Sequence, residues 1–448
     1  MNTETPQNMR RFLVLWAGQT ISILGSGLTS FALGVWIYAR TGAATPFALT
    51  VLFGTLPRIL LAPIGGSLAD RKNRKAIMLL ADTANALVTL AAALVALSGK
   101  LAVWNIYLLA ALGSVFAAFQ EPAFGASVVM LVPKKDLGRA SGLRNLSEAL
   151  GSLVTPMLAA LLYGLIGLGG VMLIDFITYF FALGTLLATR VPQPELTTPT
   201  GGSSRQQWLS DAVFGWRYLR QRPGLFGLLW YFALVNFLMN FAAVLTSPLV
   251  LSRNSTSALG AVQMASGAGM LLGSLLMSTW GGPKKQIYST IGFIALGAVG
   301  LALIGVHSSA WVIGAGFFII LFAIPLSSGS TQVIFAAKVQ PDVQGRVIAI
   351  RSMIAQSMMP IAFLLAGPLA DNVFEPLMRE GGALYNSWVA ALIGNGAGRG
   401  MGLIFVLAGL ILLIVTLFAW GNPHIRHVEE ELPDAVADAP EPQPVPAD

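Results

Sequence analysis

Apolar runs of bilayer-crossing length recur twelve times in this chain and leave it few folds. They cover roughly 12–38, 45–69, 75–98, 102–132, 140–166, 171–189, 224–250, 257–281, 286–306, 310–337, 345–370 and 401–421. Crossing the hydrocarbon takes about twenty apolar residues as a helix. Only helices and closed barrels satisfy their own backbone there. Charged residues make up 10% of the 448 positions, against about 25% in soluble domains. The expected fold is an all-α membrane protein of twelve transmembrane helices.

An even number of crossings puts both termini on one side, and the bases say which. With Met1 in the cytoplasm, the inner segments hold Arg10, Arg11, the Arg71–Lys75 cluster, Lys134, Lys135, Arg139, Lys284, Lys285 and others. The outer segments hold Arg40, Lys100, Arg253, Arg379 and Arg399. That bias predicts a multi-pass protein of the cell (inner or plasma) membrane with both termini cytoplasmic. The net charge of +7 then reads as loop bias plus contact with anionic lipids, not as nucleic-acid binding. Trp36, Trp104, Trp280, Trp311 and Trp420 fall at run ends, where amphipathic rings favour the interface.

The chain divides into two halves. Residues 1–190 hold six runs and 224–421 hold six more. Between them, 191–223 opens with Pro, Thr, Gly and Ser. It then sets Trp208, Ala212, Val213, Trp216 and Leu219 at helical spacing, the stripe of an amphipathic helix lying on the inner leaflet. Residues 422–448 are expected as a disordered, acidic cytoplasmic tail. The halves echo one another. Gly138-Arg139 followed by Arg144 recurs as Gly345-Arg346 followed by Arg351, and Leu15-Trp16 recurs as Leu229-Trp230. Such matches argue for a parallel duplication.

Between the second and third runs stands Gly66-Ser67-Leu68-Ala69-Asp70-Arg71-Lys72-Asn73-Arg74-Lys75. This pattern resembles the loop signature of the major facilitator superfamily. Its second-half counterpart, Gly281-Gly282-Pro283-Lys284-Lys285, lacks the acid. Phe119-Gln120-Glu121-Pro122-Ala123, Phe214-Gly215-Trp216-Arg217-Tyr218-Leu219 and Phe374-Glu375-Pro376-Leu377-Met378 resemble the drug and siderophore exporter branch, including macrolide-efflux and enterobactin-exporter proteins. The resemblance implies two pseudo-symmetric six-helix halves with a substrate site between them near the midplane. It also implies a gate formed by Gly66, Asp70, Arg71 and Arg74 against the start of the eleventh helix at Gly345 and Arg346.

Ionisable groups inside the runs are costly and so are functional candidates. Arg58 lies twelve residues before Asp70, about 18 Å up a helix. It is read either as a cavity cation or as one side of a structural ion pair. Glu121, before Pro122 in the fourth run, is read as a proton carrier or as the packing partner of Arg58. Arg144 and Glu148, one turn apart, are read as a secondary gate or an ion pair. Gln19, Asn236 and Asn240 are read as substrate-binding amides or as interhelical hydrogen bonders. Asp82 and Asp175 fall in runs that are usually peripheral in this fold and carry low weight. Met264, Met270, Met353 and others would suit varied apolar ligands.

No cysteine, H-E-x-x-H or phosphate-binding Gly-Lys-Ser sequence occurs. Thiol chemistry, a zinc-protease centre and ATP hydrolysis therefore have no residues here, and neither an enzyme nor a cofactor or metal is expected. The expectation is a monomeric secondary transporter using alternating access. It would export small amphipathic or hydrophobic compounds, with protons as the coupling ion. A lipid flippase, an importer of the same fold and a non-transporting membrane sensor are the alternatives.

Overall fold

In the computed structural model, residues 9–133, 136–191, 214, 216–339 and 343–432 are described. The first half runs α1 (Met9–Thr41), α2 (Ala44–Arg71), α3 (Arg74–Leu97), α4 (Val103–Leu131) and α5 (Leu137–Ala188). The second runs α6 (Pro223–Leu251), α7 (Thr256–Trp280), α8 (Gln286–Val306), α9 (Ala310–Lys338) and α10 (Gln344–Leu369). A π-helical turn, Ala370–Phe374, and short helices α11 (Glu375–Met378) and α12 (Trp388–Ile393) lead to α13 (Arg399–Gly421).

Eleven described helices are long and apolar enough to cross a membrane, against twelve apolar runs. The difference lies in α5, whose 52 residues carry both the fifth and sixth runs. A straight helix of that length would measure about 78 Å, far beyond a hydrocarbon core of about 30 Å. At Gly167 the backbone leaves the helix with φ 67° and ψ −178°, a conformation glycine adopts without steric cost. The two parts of α5 then pass α1 in opposite directions. Trp16 Nε1 donates to the Leu143 carbonyl at 3.0 Å, and the Thr20 and Ser147 hydroxyls meet at 2.7 Å. Ser26 Oγ donates to Asp175 Oδ1 at 3.1 Å, while Gly18 leaves room for Thr185. The chain therefore crosses twelve times.

Packing is heaviest within each half. Here α1 lies on α5 and α2 on α4, as α7 lies on α9 and α8 on α13; α5 with α7 and α2 with α10 join the halves. Along α2 the close approach falls at Gly65, where a Cβ would sit 1.9 Å from the Ala118 carbonyl oxygen. At Gly66 it would meet open space among the described residues. The outward side chains are large and apolar, as lipid contact requires. Trp104 and Trp311 stand exposed at the starts of α4 and α9.

The expectation of disorder from residue 422 onward is corrected over 422–432. Pro423–Arg426 (α14) and Val428–Glu431 (α15) are helical. The Glu429 carboxylate accepts from the Gln286 and Ile287 N–H groups at 3.1 and 2.9 Å. These are orphan donors of α8, whose own N-cap residue, Lys285, supplies no acceptor. Lys285 also pairs with Glu430, and Lys338 Nζ donates to the Glu429 and Leu432 carbonyls. Residues 433–448 lie outside the described residues. Of the amphipathic helix expected in the linker, 216–220 is described, as helix.

Candidate functional site

The signature loop is built by helix-end chemistry. Asn73 caps α3, accepting from the Ala76 N–H at 3.1 Å. Buried Arg74 donates from Nε to the Ala69 carbonyl at 3.0 Å and from Nη1 to the Ala126 carbonyl at 3.1 Å. Lys75 Nζ donates to the Leu187 and Thr189 carbonyls, each at 2.9 Å. Each of these carbonyls lies at or near a helix C-terminus, on α2, α4 or α5, where cations are favoured. The side chains of Asp70, Arg71, Arg144, Glu148 and Arg346, and the surroundings of Gly345, lie outside the described residues.

Deeper in the first half, the structure brings Arg58 and Glu121 together. Arg58 Nη1 lies 2.8 Å from Glu121 Oε1, and the two side chains are 43% and 56% exposed. The Arg58 backbone N–H also donates to Ser114 Oγ at 3.0 Å, fixing α2 on α4. Gln19, on α1, bridges two other helices. Its Nε2 donates to Asp82 Oδ2 and its Oε1 accepts from Gln120 Nε2, both at 3.1 Å. Asp82 and Asp175 line one small chamber between α1, α3 and α5 with Ser22, Ser26, Asn85 and Tyr179. Sequence reasoning set both acids aside as peripheral. Asn236 and Asn240 each donate to the carbonyl four residues earlier, at 2.8 Å.

A second cavity, larger than this chamber, lies elsewhere. It has a volume of about 430 Å³ and draws its walls from α1, α2, α5, α6, α7 and α9, so both halves share it. That size is in the range of small-molecule sites. Gly27, Ser30, Phe31 and Gly34 line it from α1, and Gln263, Ser266, Gly267 and Met270 from α7; among the described residues no charged one does. Thr155 Oγ1, on α5, is buried with no hydrogen-bond partner. The signal was present in the sequence. Both stretches place their lining residues at i, i+3, i+4 and i+7, one face of a helix, and all but Phe31 are small, polar or flexible. Candidates chosen by charge passed over that face. Met270 is one of the methionines that the sequence reading takes to suit varied apolar ligands.

Residues 15–363 match the family model for the Major Facilitator Superfamily. The chain belongs to that superfamily. As a major facilitator protein it is a multi-pass membrane transporter and not an enzyme. Macrolide efflux protein A of Streptococcus pyogenes is 28% identical over 372 residues, 81% of this chain and 90% of that one. The multidrug efflux pump Tap of Mycolicibacterium fortuitum is 25% identical over 377 residues, 80% of this chain and 88% of its own. The enterobactin exporter EntS of Citrobacter koseri is 27% identical over 308 residues, 65% and 70% respectively. Among solved structures, a bacterial homolog to the human lysosomal transporter Spinster, inward-facing and unoccupied, superposes with a TM-score of 0.71. It is 16% identical and covers 97% of this chain and 100% of its own. In this major facilitator fold the first, second, fifth, seventh, eighth and tenth crossings supply the described lining of the cavity.

Proposed function

We propose that this transporter exports amphipathic or hydrophobic compounds by alternating access, driven by inward proton flow, with both termini in the cytoplasm. The observation that carries the reading is the cavity shared by the two halves, with no charged side chain among its described lining residues. An apolar molecule would be held there by contact area and by a few hydroxyl and amide groups. The efflux names of three relatives favour the outward direction. An ion pair facing hydrocarbon would be costly, so half-exposed Arg58 and Glu121 fit a water-accessible crevice. There Glu121 would exchange its partner for a proton. The Gly66–Lys75 loop would gate one end against the start of α10 at Gly345 and Arg346. Anionic lipids would bind its bases, and the working unit would be a monomer.

The test is transport in proteoliposomes under an imposed pH gradient, with dyes, macrolides and siderophores. Wild-type protein is expected to move at least one compound and to carry protons against it. In Glu121→Gln, substrate movement should become independent of the gradient. Undiminished substrate-induced proton flux in that variant assigns Glu121 to packing and overturns its coupling role.

A further inference from the structure

The two described arginines at membrane depth on α2 and α10 differ in one respect. Arg58 has a carboxylate; Arg351 has none among the described residues. The Arg351 guanidinium lies over the Phe335 ring, 5.0 Å from its centroid. With Asn236, Ser328, Thr331 and Ser352 it lines a chamber of about 240 Å³ between α6, α9 and α10. None of these three helices carries an Asp or Glu anywhere along its length. An arginine stays charged under all ordinary conditions, and placing one at membrane depth requires a counter-charge, carbonyls or water. The chamber offers hydrogen-bond donors and, among the described residues, no fixed anion. Asn236 spends one amide hydrogen on the Phe232 carbonyl, at 2.8 Å, and keeps the other. Ser352 adds a hydroxyl.

We propose that this chamber is an anion-binding subsite, taking the carboxylate, sulfonate or phosphate of an amphipathic molecule. Its role in substrate selection rests on the export reading above; anion binding itself rests on the chamber. Eleven residues separate Ser247 from Asn236 along α6, and seven separate Leu321 from Ser328 along α9. At 1.5 Å per residue, the chamber lies about 10–16 Å along the bundle from the larger cavity. A molecule occupying both carries its charge at that distance from an apolar body, and a cationic amine is disfavoured.

The test uses the full chain in nanodiscs of phosphatidylcholine, with taurocholate as an anionic probe and rhodamine 6G as a cationic one. Removing a hydrogen bond to a charged group costs at least about tenfold in affinity. Arg351→Gln is therefore expected to weaken taurocholate about tenfold or more and leave rhodamine 6G unchanged. Arg351→Lys should keep part of the affinity. If the Gln variant does not fold, Ser352→Asp sets a carboxylate against the guanidinium and should produce the same contrast. Competition by inorganic phosphate supports a site open to free anions. Competition by added phosphatidylglycerol supports the same chemistry with a lipid headgroup as its source. Unchanged taurocholate affinity in folded Arg351→Gln, equal loss of both probes, or no binding of taurocholate or phosphate to wild type overturns the proposal. Binding is read without a gradient, so a failure of proton-driven export would leave these results standing.

Discussion

Helix α2 begins without a cap of its own, and this makes Asp371 a test of how the halves are fastened. Ala43, at the N-cap, offers no side-chain acceptor. The carboxylate of Asp371, in the π-helical turn after α10, reaches across and accepts from the Ala44 N–H at 2.9 Å and the Thr45 N–H at 2.7 Å. The backbones are close there too, since a Cβ on Gly367 would lie 2.5 Å from Thr45 Cα. We predict that Asp371→Ala loosens this contact. Losing an N-cap costs about 0.5–2 kcal/mol, and losing the charge at a helix N-terminus costs about 0.3–1 kcal/mol. Thr45 is partly exposed and its freed amide regains water, while Ala44 is buried, so about 1–2 kcal/mol is the expected net. That is roughly 5- to 30-fold in the equilibrium between joined and separated ends. The chain has no cysteine, so cysteines placed at exposed Arg40 and Glu380 would be the only sites for spin labels. Pulsed EPR in nanodiscs should show the separated population rising by that factor in Asp371→Ala, with Asp371→Asn between. Identical distance distributions in the variant and the wild type would refute the fastening role.

Two further outcomes are expected. Glu375 is buried and accepts from the Gly398 N–H at 3.1 Å and the Met401 N–H at 3.0 Å. Glu375→Gln can satisfy one of these well but not both, at a cost of about 1–3 kcal/mol for the buried donor left over. Thermal unfolding in detergent should show the loss, and an unchanged melting temperature would exclude it. At the other end of the second half, the hydrogen bond and charge of Lys285 hold the Glu430 carboxyl below the usual carboxylate range. Those of Glu430 raise Lys285. The Glu430 contribution is present above the ordinary carboxylate range and is lost as pH falls through its lowered value. The Lys285 contribution is present below the ordinary lysine range and is lost as pH rises through its raised value. Protection of the Gln286 and Ile287 amides against hydrogen exchange should thus differ between wild type and Glu430→Ala at neutral pH. That difference should vanish in acid.

The fold was legible because one-dimensional signals decide it. Run length fixed the helices, and even the break inside α5 coincided with the glycines at 167, 169 and 170. The Arg58–Glu121 pair was legible for a similar reason: charges at membrane depth are few and must find each other. The uncharged cavity was harder to see. Its polar groups are serines, a threonine and a glutamine, residues common throughout membrane helices, and their convergence depends on how α1 and α7 turn toward each other. The Asp82–Gln19–Gln120 chain was invisible for the same reason, since it joins three helices far apart in sequence.

A charge-led reading gives no role to three acids near the helix ends that the structure puts to use. Three of the long helices that start without a local side-chain cap share one remedy: α2 at Ala43, α8 at Lys285 and α13 at Gly398. Each receives a carboxylate from a distant part of the chain, Asp371, Glu429 and Glu375 respectively. By contrast, α3 and α7 carry Asn73 and Ser255 at their starts, and these side chains accept the first-turn amides locally. In a chain this short of polar residues, an anion from a distant segment can satisfy an uncapped helix start, and each such delivery ties two segments together. One such tie, Asp371 to α2, crosses between the halves, so it must break if that end is to open. The ties at Glu375 and Glu429 stay within the second half and can persist through a rigid-body motion. The first is therefore the one whose strength would set the balance between conformations. The other two would set the stability of the half that moves.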